Sequence, residues 1–173
     1  MANETQYATK GYTTIIRWVD ESIDLGSYII QRTLSVGSDV AVAGDVMSAD
    51  GETIGLVDRA VTTDVGFCGI LLGPNRPGDT YDLDDAITDG TTVDILRPTG
   101  GRTIVSVILD STTTAAHDIE EFDWVRVNEA GHVELFVYTD GADSTDTFEL
   151  VVGKSAEVMA NSDTDDRVLS IWY

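Results

Sequence analysis

The chain has 173 residues, 42% of them hydrophobic, and carries 31 acidic against 10 basic side chains for a net charge of -21. That length suits one domain or two small, intimately packed ones, and a field of that sign repels phosphate, so nucleic acid is a poor partner. No apolar run approaches the roughly 18 to 20 residues that cross a bilayer as a helix, so no membrane partner is expected.

The acids are mostly Asp and the bases mostly Arg, with Lys10 and Lys154 the two lysines. Together with abundant Thr, Ala and Gly, this resembles proteins adapted to molar salt, where the screening length shrinks to about 3 Å and dense like charge becomes tolerable. A halophilic source is the expectation. Regular alternation of apolar and polar residues argues against a disordered acidic chain.

The chain opens on "MANETQYATKGY", polar and without the apolar core of a secretory signal, so none is expected and residues 1–14 read as an extended arm. From there to residue 173 the sequence reads as a single β-rich domain. "TTIIRWVD" (Thr13 to Asp20), "SYIIQRTL" (Ser27 to Leu34), "DVMSA", "GFCGILLG", "TTVDILRP", "TIVSVILD", "DWVRVN", "HVELFVY", "TFELVVGKSAEVMA" and "RVLSIWY" are short runs rich in Val, Ile, Thr and aromatics. Gly, Pro, Asn and Asp clusters such as "SADGE", "GPNRPGD", "PTGGR" and "TDGADSTD" separate them. This spacing predicts a mainly β protein, a compact barrel or sandwich with long loops and at most one or two short helices. The helix candidates are "TTTAAHDIEEF" (Thr112 to Phe122) and "DLDDAI".

An internal duplication is also expected. Asp39-Val40, Asp45-Val46, Asp50-Gly51 and the Gly73 that ends "GILLG" are echoed by Asp118-Ile119, Asp123-Trp124, Ala130-Gly131 and the Gly153 that ends "ELVVG", at spacings of 79, 78, 80 and 80 residues. The units are 34–74 and 113–154. In them Gly44, Asp50, Gly51 and Gly131 are assigned to shaping turns, because Gly reaches positive φ freely and Asp tolerates it.

Chemistry finds no anchor. "GPNRPGDT" lacks the ending of a phosphate-cradling loop, and no nucleophile elbow is present. His117 and His132 both abut turns beside acids and read as solvated loop residues rather than general bases. Cys68, inside "GFCGILL", reads as a small buried hydrophobe. Asp82 and Asp84 of "DLDDAITDG", and Asp140, Asp143 and Asp146 of "TDGADSTD", are weak metal candidates: the first loop has Ala86 and Ile87 where a calcium loop needs an oxygen ligand and a Gly. Both read as solvated acidic loops, and no cofactor is expected. Trp18, Trp124 and Trp172 each sit on a separate strand-like run and are assigned to core or subunit interface.

The stretch "SVGSDVAVAGDVMSADGETIGLVDRAVTTDVGFCGILLG" resembles the repeated phrase of capsid decoration, or cement, proteins of tailed viruses, and "GTTVDILRPTGGRTIVSVIL" resembles that family's middle segment. The resemblance covers roughly Leu34 to Gly153 and rests on turn chemistry and hydrophobic spacing. It implies a non-enzymatic homo-oligomer, often a trimer, on the outer face of a virion made in the host cytoplasm. The major capsid protein is the implied partner, and with this composition the virus would infect a halophilic archaeon. Within that reading, Tyr7, Lys10, Tyr12 and Arg17 of the arm and the first strand are expected to contact the capsid, as β-augmentation or in a groove. Other virion components, a turret, fibre base or tail subunit, and a carbohydrate- or protein-binding sandwich are the alternatives.

Overall fold

The computed structural model describes residues 15–18, 25–49, 53–61, 68–75, 85–110, 118–128, 131–137, 151–159 and 168–173. The arm 1–14 with Tyr7, Lys10 and Tyr12, the Asp50-Gly51 turn, His117, and the loop acids Asp82, Asp84, Asp140, Asp143 and Asp146 lie outside them.

Thirteen strands follow in chain order among the described residues. They are β1 (Ile15–Trp18), β2 (Ile29–Leu34), β3 (Val40–Ala41), β4 (Val46–Ala49), β5 (Leu56–Arg59), β6 (Gly69–Pro74), β7 (Ile87–Thr88), β8 (Thr92–Leu96), β9 (Thr103–Ile108), β10 (Trp124–Val127), β11 (Val133–Leu135), β12 (Val151–Ser155) and β13 (Val168–Trp172). A 3-10 turn, Leu25–Tyr28, leads into β2. Neither helix candidate is helical in its described part: Ile87 opens β7, Ile119 bridges to Met159, and Glu121 and Phe122 form a turn. A β-branched side chain that has a strand partner gains more there than in a helical turn too short to propagate.

Strands β2, β5, β4, β6 and β8 close into a barrel, with β2 and β5 parallel and the other pairs antiparallel. Alternation sends Ile30, Leu34, Met47, Val57, Leu71, Val93 and Ile95 into its interior. Strands β1 and β9 to β13 form a six-stranded sheet in the order β1, β9, β13, β12, β10, β11, and β3 pairs with β7 in a two-stranded sheet. The second strand of the six-stranded sheet, β9, and its last, β11, also meet, through a parallel bridge from Leu109 to Val133. The ring β9, β11, β10, β12, β13 therefore repeats the first barrel strand for strand, and β1 is an extra strand on β9.

The registers superpose residue by residue. Leu34 opposite Val57 matches Leu109 opposite Val133, Met47 opposite Arg59 matches Val125 opposite Leu135, and Ile30 opposite Ile95 matches Val105 opposite Ile171. The turn before β4 is duplicated too. Val42 N–H donates to Asp45 Oδ2 at 3.0 Å and Asp45 N–H to Val42 O at 3.1 Å; Glu120 N–H donates to Asp123 Oδ2 at 2.9 Å and Asp123 N–H to Glu120 O at 3.1 Å.

The duplication thus extends beyond 34–74 and 113–154, to about residues 28–97 and 103–173, and two of the sequence-based pairings shift. Gly131 matches Gly55 rather than Gly51, both at positive φ (77° and 93°). Gly153 matches Gly69 rather than Gly73: a Cβ on Gly69 would run into the Leu96 carbonyl, and one on Gly153 into the Trp172 carbonyl. Loops of unequal length displace the closing strands by a few residues, which a constant spacing cannot follow. What is kept is a close approach of two backbones that only Gly permits.

The two barrels share a core. One apolar cluster holds the interior of the second barrel, including Val105, Val125, Val133, Leu169 and Ile171, together with the outward-facing Val46, Ala60, Ile70, Leu72 and Leu96 of the first. The second barrel covers one outer face of the first.

Candidate functional site

The covered face of the first barrel is a row across four strands: Val46 is opposite Ile70, Ile70 opposite Leu96, and Leu96 opposite Ile29. Its first three members are fully buried. The matching row of the second barrel is Trp124, Lys154, Trp172 and Ile104, paired in the same order. Here Trp124 is 46% exposed, and Phe122 beside it is 56% exposed. Lys154 Nζ lies 4.3 Å from the centroid of the Trp124 ring, a cation–π contact across the strands. The Trp172 indole N–H is buried without an acceptor among the described residues. Val137 and Val158 add further exposed apolar surface on the same barrel. The expectation of core or interface for Trp124 is corrected to the extent that it is not core: its side chain points out of the barrel, because its inward neighbour on the strand is Val125.

The seam between the barrels lies beside the covered row. Gly131 N–H donates to Ala60 O at 2.8 Å and Ile108 N–H to Gly44 O at 3.4 Å. Glycine is required on both sides: a Cβ on Gly44 would stand 3.2 Å from Ser106 O, and one on Gly131 2.9 Å from Val46 O. Asp45 is 1% exposed there, its Oδ1 3.7 Å from His132 Nε2. Burial pushes the Asp45 carboxyl up to about 7, against the Val42 N–H bond and the nearby Arg59 charge, both of which favour the anion. Arg59 in turn donates from Nη2 to Asp39 Oδ2 at 2.9 Å.

His132 is therefore not the solvated loop residue expected. It enters β11 at the position of Leu56 in the first barrel and rests on a buried carboxylate of the other repeat. No sequence pattern links the two, since the contact exists only once the barrels pack. Asp45 is buried in the seam, and the half-buried His132 stands against it there. Among the described residues no cluster of three or more His, Cys, Asp or Glu is placed to hold a metal.

The remaining candidates are dispersed. Arg17 pairs opposite Ile104 in β1, next to the open row, while Gly44 (φ 99°) and Gly131 (φ 77°) stand at turns on the seam. Cys68 packs half-buried against the interior of the first barrel, where burial pushes its thiol up to about 11, away from a reactive thiolate. No helix among the described residues is long and apolar enough to cross a membrane.

No protein-family model matches the chain, and no curated protein sequence matches it. The open aromatic row, placed where its counterpart is a covered interface, is the feature that carries a functional reading.

Proposed function

We propose that the chain is a virion structural protein that binds the outer face of a capsid and stabilises contacts between major capsid subunits, without enzymatic activity. The supporting observation is the construction of the molecule: one small barrel used twice, the buried Asp45 and half-buried His132 paired at a seam, and exposed apolar and aromatic side chains on the second barrel. The segment that resembles a cement-protein phrase spans β3 to β6, most of one barrel. Such a protein acts by mass action: it binds the assembled lattice and not the free subunit, so its binding energy adds to the stability of the shell.

The reading extends to a virion location, self-association and a capsid contact through Tyr7, Lys10, Tyr12 and Arg17. Deleting residues 1–12 is the test. Loss of binding to stripped heads by a chain that keeps its β circular dichroism supports it, and undiminished occupancy overturns the arm's role. A glycan-binding module is the second reading, favoured by the exposure of Trp124. A sugar needs a free indole face, and Lys154 already lies over one face of that ring. Binding in a glycan screen that is abolished by Trp124→Ala would establish it over the capsid reading.

A further inference from the structure

The duplication leaves each chain with one satisfied barrel–barrel interface and the two unsatisfied halves of another. Within the chain, the row Val46, Ile70, Leu96 on the first barrel is covered by the second barrel, which contributes Ser106, Ile108, Gly131 and His132 at the seam. The second barrel has the equivalent row, Trp124, Lys154, Trp172, of which Trp124 is exposed and Lys154 and Trp172 are half-buried. The first barrel has the equivalent of these seam residues, Gln31, Thr33, Gly55 and Leu56, with Gln31 exposed, the other three half-exposed and the neighbouring Ile54 fully exposed.

We infer that copies of this chain associate head to tail, the aromatic row of the second barrel in one copy packing on the Gln31, Thr33 and Leu56 surface of the first barrel in the next. The occupant is a second copy because, among the described residues, the positions that pack on the first barrel within the chain recur on the first barrel itself, where Gln31 is exposed and Thr33, Gly55 and Leu56 are half-buried. Substitutions within the row agree with an intermolecular role. Where the first barrel needs Gly44 and Val46 to let its covalently linked neighbour approach, the second has Phe122 and Trp124, large anchors of the kind that dominate the energetics of separable interfaces. An exposed Phe at positive φ is a strained position, which persists where something other than local stability maintains it. A heterologous contact of this kind builds a ring if its rotation closes and a filament if it does not. This inference deepens the self-association part of the proposed function and rests on the duplication rather than on the capsid, so a chain that fails to bind heads can still satisfy it.

The test uses the full chain at molar potassium chloride, where its net negative charge is screened. Sedimentation over about 1 to about 100 μM should show concentration-dependent association. Trp124→Ser and Thr33→Arg, one on each surface, should each weaken it about thirtyfold. An equimolar mixture of the two variants should recover a one-to-one dimer that grows no further, since only one intact contact can then form. If Thr33→Arg associates like the parent, the row pairs with itself and the inference is overturned; a parent chain monomeric at all concentrations overturns it too. Cross-linking makes the result independent of variant stability. In a Cys68→Ser background, a short bis-maleimide should join Phe122→Cys to Thr33→Cys in a mixture and leave either variant alone uncoupled, and coupling of Phe122→Cys to itself is the contrary result.

Discussion

Phe122 stands in the second barrel where Gly44 stands in the first, and both lie in the left-handed region, at φ 73° and 99°. Each donates its N–H to the neighbouring strand, Gly44 to Leu71 O at 2.8 Å and Phe122 to Ser155 O at 2.9 Å. The turn geometry is therefore kept although the residue is not. For an L-residue that conformation costs about 1 to 2 kcal/mol. Phe122→Gly should raise the unfolding free energy of the isolated chain by about 1 kcal/mol, measured by denaturant titration at fixed salt and low protein concentration. Gly44→Ala should lower it by about 2 kcal/mol or more, because the added Cβ meets both an unfavourable φ and the Ser106 carbonyl. Equal effects of the two changes would contradict this account.

Gly69 and Gly153 give the duplication an energetic test. Neither is explained by turn chemistry: each sits inside or at the start of a strand where the neighbouring carbonyl, of Leu96 or Trp172, leaves no room for a Cβ. Gly69→Ala and Gly153→Ala should each destabilise by about 2 to 4 kcal/mol, with a matched effect in the two barrels. Gly37→Ala is the control, since a Cβ there meets nothing within 4 Å and only its positive φ is paid for.

The Lys154–Trp124 contact is a surface interaction and should be modest. Lys154→Met keeps the stem and removes the charge, and a double-mutant cycle with Trp124→Leu should return a coupling of about 0.5 to 1 kcal/mol in thermal unfolding. A coupling near zero would mean that the ammonium only rests over the ring.

Much of the fold was legible in the sequence, because alternation and turn residues are local signals. Runs such as "TIVSVILD" and "GFCGILLG" became β9 and β6, and "AGD" and "EFD" hold the Asp whose carboxylate caps each turn. The repeat was visible where it was ungapped, at Asp45 and Asp123, and misaligned after loops of unequal length, at Gly131 and Gly153. The seam was not legible: His132 and Asp45 are distant in sequence, and nothing in "NEAGHVEL" marks the imidazole as packed on a carboxylate of the other repeat. Nor was the open row, since Trp124 alternates like a core residue and only its counterpart Val46 shows that the same strand face is covered in one barrel and bare in the other.

Asp45 gives the seam a pH dependence of definite sign. Its carboxyl titrates near 7 in the folded chain and near the ordinary value of 3.8 once exposed, so between those values the native state holds a proton that the unfolded state has lost. Stability from this group is complete below about pH 3.8 and declines as pH rises toward 7, by at most about 4 kcal/mol at about 1.4 kcal/mol per unit. A protonated His132 at 3.7 Å would offset part of that decline by favouring the anion. Asp45→Asn keeps an oxygen for the Val42 N–H and cannot ionise. The variant should therefore match the parent at pH 4 and exceed it in unfolding free energy at pH 8, and taking the difference between the two proteins cancels the other carboxylates. A parent and an Asp45→Asn variant with parallel stability curves across that range would mean that the Asp45 carboxylate is ionised and solvated in the native seam, contrary to its burial.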